Sequence, residues 1–95
     1  MEKLTEVRAS HILVATKEEA DKIREEILNG KDFGHAARKN SKCPSGYQGG
    51  DLGFFKRGNM VAEFENAAYT LPINEISEPV KTQFGWHLIM VTDQR

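Results

Sequence analysis

A chain of 95 residues, 39 % hydrophobic and 28 % charged, has enough apolar mass for one core and too little for two, so a single domain over 1–95 is expected. Its 13 basic and 14 acidic residues are interspersed and sum to a net charge of -1, which gives no general pull toward nucleic acid or an anionic membrane. No run approaches ~18 apolar residues, and the opening MEKLTEVRAS lacks the apolar stretch of a secretory signal. A cytoplasmic protein is therefore expected, which the single cysteine, Cys43, fits because it cannot close an internal disulfide; a monomer is expected as well.

From Glu6 to Val14 the residues Val7, Ala9, His11 and Leu13 alternate with Ser10, Ile12 and Val14, so both faces are largely apolar and an interior strand is predicted. Thr16 and Glu19 form a T-x-x-E capping box ahead of Ala20, Ile23 and Ile27, with Asn29-Gly30 as the stop: a helix, with Glu18 and Lys22 paired on its solvent side. Asp32 is placed to cap a second, shorter helix with Phe33, Ala36 and Ala37 inward and His35 toward solvent, fraying by Asn40. Cys43 then opens a turn-forming run (Pro44, Ser45, Gly46, Gly49, Gly50) into a short strand, Leu52 to Phe55.

Asn59 is read as the cap of an amphipathic segment, Met60 to Tyr69, with Val61, Phe64 and Ala68 inward, and Leu71-Pro72 as its end. Ile73 to Ser77 reads as a connector. Pro79 to Thr82 is assigned to an edge strand, because proline cannot donate to a central ladder. Gln83, Phe84 and Gly85 turn the chain into Trp86 to Asp93, where His87, Ile89 and Val91 share one face and Trp86, Leu88 and Met90 the other. This order gives an α+β domain: a four-stranded, mainly antiparallel sheet with helices packed on its faces.

The candidate chemistry gathers where loop, strand and third helix meet. Met60 and Phe64, at i and i+4 on one helix face, together with Leu52 make the floor of a small apolar pocket edged by Cys43. The glycine series has neither a dinucleotide fingerprint nor the GK[ST] ending of a phosphate loop, so its glycines read as turns. Each of the two most apolar strands carries one histidine among apolar neighbours, His11 and His87. A lone histidine so placed is usually a satisfied core residue; two on neighbouring strands, with a thiol and Thr82 near them, can form a neutral hydrogen-bonded pair that orients a third polar group. Cys43 has three readings, as nucleophile, as polar member of that network or as small filler, and the network role is favoured. A Cys-His hydrolase needs a helix starting at Cys43, and none is predicted there. Zinc held by His11, His87 and Cys43 lacks a close-spaced ligand pair, and no metal or other cofactor is expected.

The same residues resemble the parvulin family of peptidyl-prolyl cis-trans isomerases along nearly the whole chain: ASHILV, EEADKIREEILNGKDFGHAARKNS, CPSG..GGDLGFF, KRGNMVAEFENAAYTL and EISEPVKTQFGWHLIMV. The resemblance implies an FKBP-like superfold and non-covalent rotation about X-Pro bonds in proline-containing peptides and unfolded proteins. It further implies that His11 and His87 are the family's paired histidines, Cys43 its cysteine-or-aspartate position and Thr82 the hydroxyl of the network. Leu52, Met60 and Phe64 correspond to the proline pocket and Phe84 to its rim. At Val61 some members carry glutamine, but the family uses the backbone N-H there to hold a substrate carbonyl. Interchange of cysteine and aspartate argues against covalent attack. Some parvulins select phosphorylated substrates through a basic cluster between the first strand and first helix. Here that loop, Ala15 to Lys17, has one cation, so the expectation is phosphate independence with an uncharged or apolar residue before proline; Lys56 and Arg57 near the pocket leave tolerance of acidic residues open. The alternative is a non-catalytic, proline-peptide-binding chaperone module.

Overall fold

The two strands that read as apolar on both faces form the middle of the sheet. In the computed structural model, which describes residues 4–95, β1 (Val7–Val14) pairs with β4 (Gly85–Gln94), β2 (Asp51–Phe55) flanks β1, and β3 (Val80–Thr82) flanks β4. Residues 1–3 of the expected 1–95 domain lie outside the described residues. The order is β2-β1-β4-β3, and every pairing is antiparallel. The short strand expected from Pro79 is at an edge, but it begins at Val80, with Pro79 just outside it.

Helices cover both faces, which is why neither face of β1 or β4 is polar. On one face α3 (Ala62–Thr70) packs Phe64, Ala68 and Tyr69 against Val7, Ala9, Ile89, Val91 and Phe55. On the other, α1 (Lys17–Leu28) and α2 (Phe33–Asn40) bring Ala20, Ile23, Phe33, Ala36 and Ala37 against Ile12, Val14 and Leu88. The period-2 alternation of the strands sorts side chains between these two cores, and His11 and His87 fall on the α3 side with Ala9 and Ile89.

The helix starts follow their caps in two cases of three. Thr16 accepts from the Glu19 N-H at 3.2 Å and Asp32 from the His35 N-H at 2.9 Å. Asn59 does not cap α3. Its Oδ1 instead accepts from the Lys56 N-H at 2.9 Å, closing the turn before the helix, and Val61 occupies the cap position without a side-chain bond. Asn has both options, and here its side chain serves the turn. Met60 therefore precedes α3, and its approach to Phe64 comes from that turn rather than from shared helix spacing. On α1 the ion pair is Lys17–Asp21 at 2.9 Å in place of Glu18–Lys22. The connector after Leu71 is tied to β4 beyond the end of β3: Ser77 N-H donates to Ile89 O at 2.8 Å and Ser77 Oγ accepts from Ile89 N-H at 2.9 Å.

Candidate active site

Loop geometry brings the thiol to the sheet. At the end of α2, Ser41 Oγ accepts from the Leu13 N-H at 3.0 Å and the Cys43 N-H at 3.3 Å, while Lys42 N-H donates to Leu13 O at 2.8 Å. Cys43 is thereby clamped over the C-terminal half of β1. A 3₁₀ helix, Pro44–Gln48, follows directly, where turns alone were expected. Cys43 Sγ accepts from Ser45 Oγ at 3.2 Å, a bond within its own loop; the thiol makes no hydrogen bond to His11, His87 or Thr82, so the network role favoured from the sequence is not what the structure shows for it. At the far end of that loop Gly50 O accepts from the His11 N-H at 3.0 Å. An added Cβ at Gly50 would come to 2.3 Å of His11 O, so only glycine permits this approach.

His11 and His87 are 6 % and 4 % exposed, and their Nδ1 atoms are 2.9 Å apart. The ring planes lie within 17° of parallel with centroids 5.1 Å apart, so the nitrogens sit between the centroids and the rings meet edge to edge. Thr82 Oγ1 lies 2.7 Å from His87 Nε2 and accepts from the Phe84 N-H at 3.1 Å. Phe64 stands across both imidazoles, at 81° and 82° with centroids 5.5 and 5.4 Å away. Burial disfavours the imidazolium in both residues; in His11 burial and the neighbouring His87 hold the pKa down to about 4. Both rings are neutral near pH 7.

Above this pair opens a cavity of about 480 Å³ lined by His11, His87, Cys43, Leu52, Met60, Val61, Phe64 and Phe84. All the predicted site residues meet there except Thr82, which is behind His87. Phe64 is 3 % exposed and forms a wall, whereas Phe84 is 63 % exposed at the mouth. The Val61 N-H, at the uncapped start of α3, donates to no group among the described residues. Leu13, Lys42, Pro44 and Asn59 also line the cavity and were not assigned to the site from the sequence. Leu13 shares the His11 face by alternation, and Ser41 stands two residues before Cys43 as in Ser/Thr turns; these were the available signals. Lys56 and Arg57 do not line the cavity: Arg57 pairs with Glu65 at 3.0 Å and lies over the Tyr69 ring. Among the described residues no group of three His, Cys, Asp or Glu side chains is arranged to hold a metal.

Residues 3–93 match the model of the rotamase family described as the PPIC-type PPIASE domain. The chain belongs to the PPIC-type PPIase family. It is thus an isomerase domain of parvulin type. It is 53 % identical over 89 residues to foldase protein PrsA 1 of Bacillus cereus, covering 93 % of this chain and 31 % of that protein. The solved peptidylprolyl isomerase PrsA of Bacillus anthracis superposes with a TM-score of 0.95 at 42 % identity, over 97 % of this chain and 43 % of that one. NmPin, the parvuline of Nitrosopumilus maritimus, superposes with a TM-score of 0.85 at 40 % identity, over 94 % of this chain and 97 % of that one. The PPIase domain thus spans about a third of the length of the curated relatives it matches.

Proposed function

We propose that this domain rotates X-Pro bonds in unfolded or flexible protein segments, without covalent chemistry and without a need for phosphorylation. The observation that carries the reading is the apolar cavity beside the free Val61 N-H, closed at its base by a neutral imidazole pair. The foldase names of the relatives support clients that are still folding.

The bond to be turned has partial double-bond character and a barrier of ~18–20 kcal/mol. Twisting removes that resonance and lowers the polarity of the amide. A ring held against Leu52, Met60 and Phe64, out of water, loses the solvation that favours the planar form, while a single amide donor at Val61 keeps the carbonyl in place as the other half swings. Every ~1.4 kcal/mol so gained is tenfold in rate. His11, His87 and Thr82 are placed to fix the cavity floor, and Cys43 to present a hydrogen-bonding edge.

The short Ala15–Lys17 connection, with its single cation, supports phosphate independence and an uncharged or apolar residue before proline. One chain supplies the whole cavity, so a monomer suffices for the chemistry. A cytoplasmic location has the lone Cys43 in its favour and no support from the foldase relatives, and cell fractionation tests it.

NMR exchange spectroscopy on X-Pro peptides tests the proposal. Enhanced cis-trans exchange, greatest for apolar X and no greater for phosphoserine, is expected. Peptide binding without enhanced exchange would leave a chaperone module as the correct reading.

A further inference from the structure

A second cleft, of about 370 Å³, adjoins the proline cavity and has a different character. Arg38 and Lys39 in the last turn of α2, and Lys42 just beyond it, surround it, with Tyr47 among its walls and 86 % exposed. No carboxylate lines it, and none of the three cations has an ion-pair partner among the described residues. The helix dipole accounts for Arg38 and Lys39 near a C-terminus, but not for Lys42 past the cap or for a bare tyrosine beside them. In a chain of net charge -1, this is a local concentration of positive charge next to the reaction site.

The two cavities share Lys42, Cys43 and Pro44, so a peptide leaving the proline slot over that edge enters the basic cleft. Two or three residues of extended chain cover ~7–11 Å, the reach needed to seat a side chain in an adjoining cleft of this size. The opposite edge of the slot leads elsewhere, to a hollow that contains both Glu6 and Lys56 and offers no net charge. The two flanks of a bound peptide therefore meet different electrostatic surroundings.

We infer that the basic cleft is a subsite for an acidic side chain of the client, two or three residues from the isomerised proline on the flank that crosses Pro44. This rests on the isomerase reading of the slot. Three exposed cations without ion-pair partners among the described residues, two in the last turn of α2 and one just beyond it, give a screened attraction suited to a carboxylate. The 3₁₀ helix that starts in this cleft is only five residues long, opens on Pro44, which has no N-H, and spends its Gly46 N-H on Cys43 O, so it offers little of the ring of backbone donors that favours a phosphate dianion.

The test uses peptides of one X-Pro core carrying Glu, Gln or phosphoserine two or three positions before or after proline, assayed by NMR exchange at low and high salt. Glu on one flank should raise kcat/KM about three- to tenfold over Gln, through KM, and the gain should vanish at high salt. Arg38→Gln/Lys39→Gln should remove the gain and leave the Gln peptides unchanged. Equal turnover of Glu and Gln peptides on both flanks overturns the subsite alone; no turnover of any peptide overturns the isomerase reading beneath it. Phosphoserine exceeding Glu a hundredfold would make the cleft a phosphate site and also overturns the carboxylate assignment.

Discussion

His11 meets His87 diagonally: His11 is paired with Ile89 and Leu13 with His87, yet the two Nδ1 atoms are 2.9 Å apart. Diagonal neighbours on an antiparallel pair are within reach of ring-bearing side chains, and here the reach fixes a proton order. One Nδ1 must donate and the other accept. Thr82 Oγ1 already accepts from Phe84, so its own proton is best used on His87 Nε2, which makes His87 the Nδ1-H donor to His11. His11 then carries its proton on Nε2, the one buried side-chain nitrogen without a partner among the described residues. The reverse order would strand the threonine proton as well.

This neutral pair predicts acid sensitivity with a definite sign. An unfolded imidazole titrates near its ordinary 6.5, whereas folded His11 titrates at about 4. Between those values the unfolded chain takes up a proton that the folded chain refuses, so stability is complete above pH 6.5 and falls as the pH drops toward 4, where this contribution levels off. Such a gap amounts to roughly 3 kcal/mol at most, and His87, shifted the same way, adds to it. Urea titrations at pH 7 and pH 4.5 measure it, and equal stability at both would contradict the assignment. The double variant His11→Gln/His87→Gln should flatten the profile over this window.

Thr82 is predicted to matter through its hydroxyl. Thr82→Val keeps the shape but leaves His87 Nε2 and the Phe84 N-H without partners, a cost of ~1–3 kcal/mol for the buried nitrogen. It also loosens the turn that carries Phe84, so KM for X-Pro peptides should rise. Thr82→Ser, which preserves both bonds, should stay within about 1 kcal/mol of wild type. Denaturant midpoints and exchange kinetics on the two variants separate these outcomes; identical behaviour of Val and Ser would show that the hydroxyl is idle.

The sheet was legible because burial on two faces leaves a strong mark: a strand such as Ile12 to Val14, or Leu88 to Val91, has no room for polar residues. Pro79 and the T-x-x-E box are similarly direct, each tied to a backbone donor. Where the prediction failed, two local solutions had nearly equal energy. Asn59 could cap a helix or close a turn, and an exposed i,i+4 pair such as Glu18–Lys22 is worth only ~0.3 kcal/mol, too little to hold it in one geometry. The 3₁₀ helix after Cys43 spans five residues, too few to show a period, and its Pro, Ser and Gly are the residues of turns as well. Ser41 escaped because its partners, Leu13 and Cys43, come together only in the folded loop.

Two glycines of similar backbone conformation should respond differently to alanine. Gly50 has φ 85° and Gly53 φ 71°, so each substitution bears the left-handed penalty of ~1–2 kcal/mol. At Gly53 the new methyl meets open space; at Gly50 it lies 2.3 Å from His11 O, a backbone atom of a central strand. Gly53→Ala is therefore expected to fold with that modest loss. Gly50→Ala should lose several kcal/mol more, or displace β1 and with it the imidazole pair. Thermal unfolding compares them, and similar melting temperatures would mean that the loop yields.

The division of labour between the cavity wall and the thiol can be read from substitutions at Phe64 and Cys43. Phe64 touches both imidazoles and closes the slot, and Phe64→Ala would remove about 3–5 kcal/mol of a domain's usual ~5–15, which confuses folding with function. Phe64→Leu is the cleaner change: it keeps the wall apolar but opens space against the substrate ring. A loss of about 1.4 kcal/mol of twisted-state binding would appear as tenfold in kcat/KM. Cys43→Asp retains an acceptor at the position where Sγ now meets Ser45 Oγ and should keep activity within about threefold, less than ~0.7 kcal/mol. If instead Cys43→Asp abolishes exchange while Phe64→Leu does not matter, the thiol carries the chemistry and the apolar slot does not.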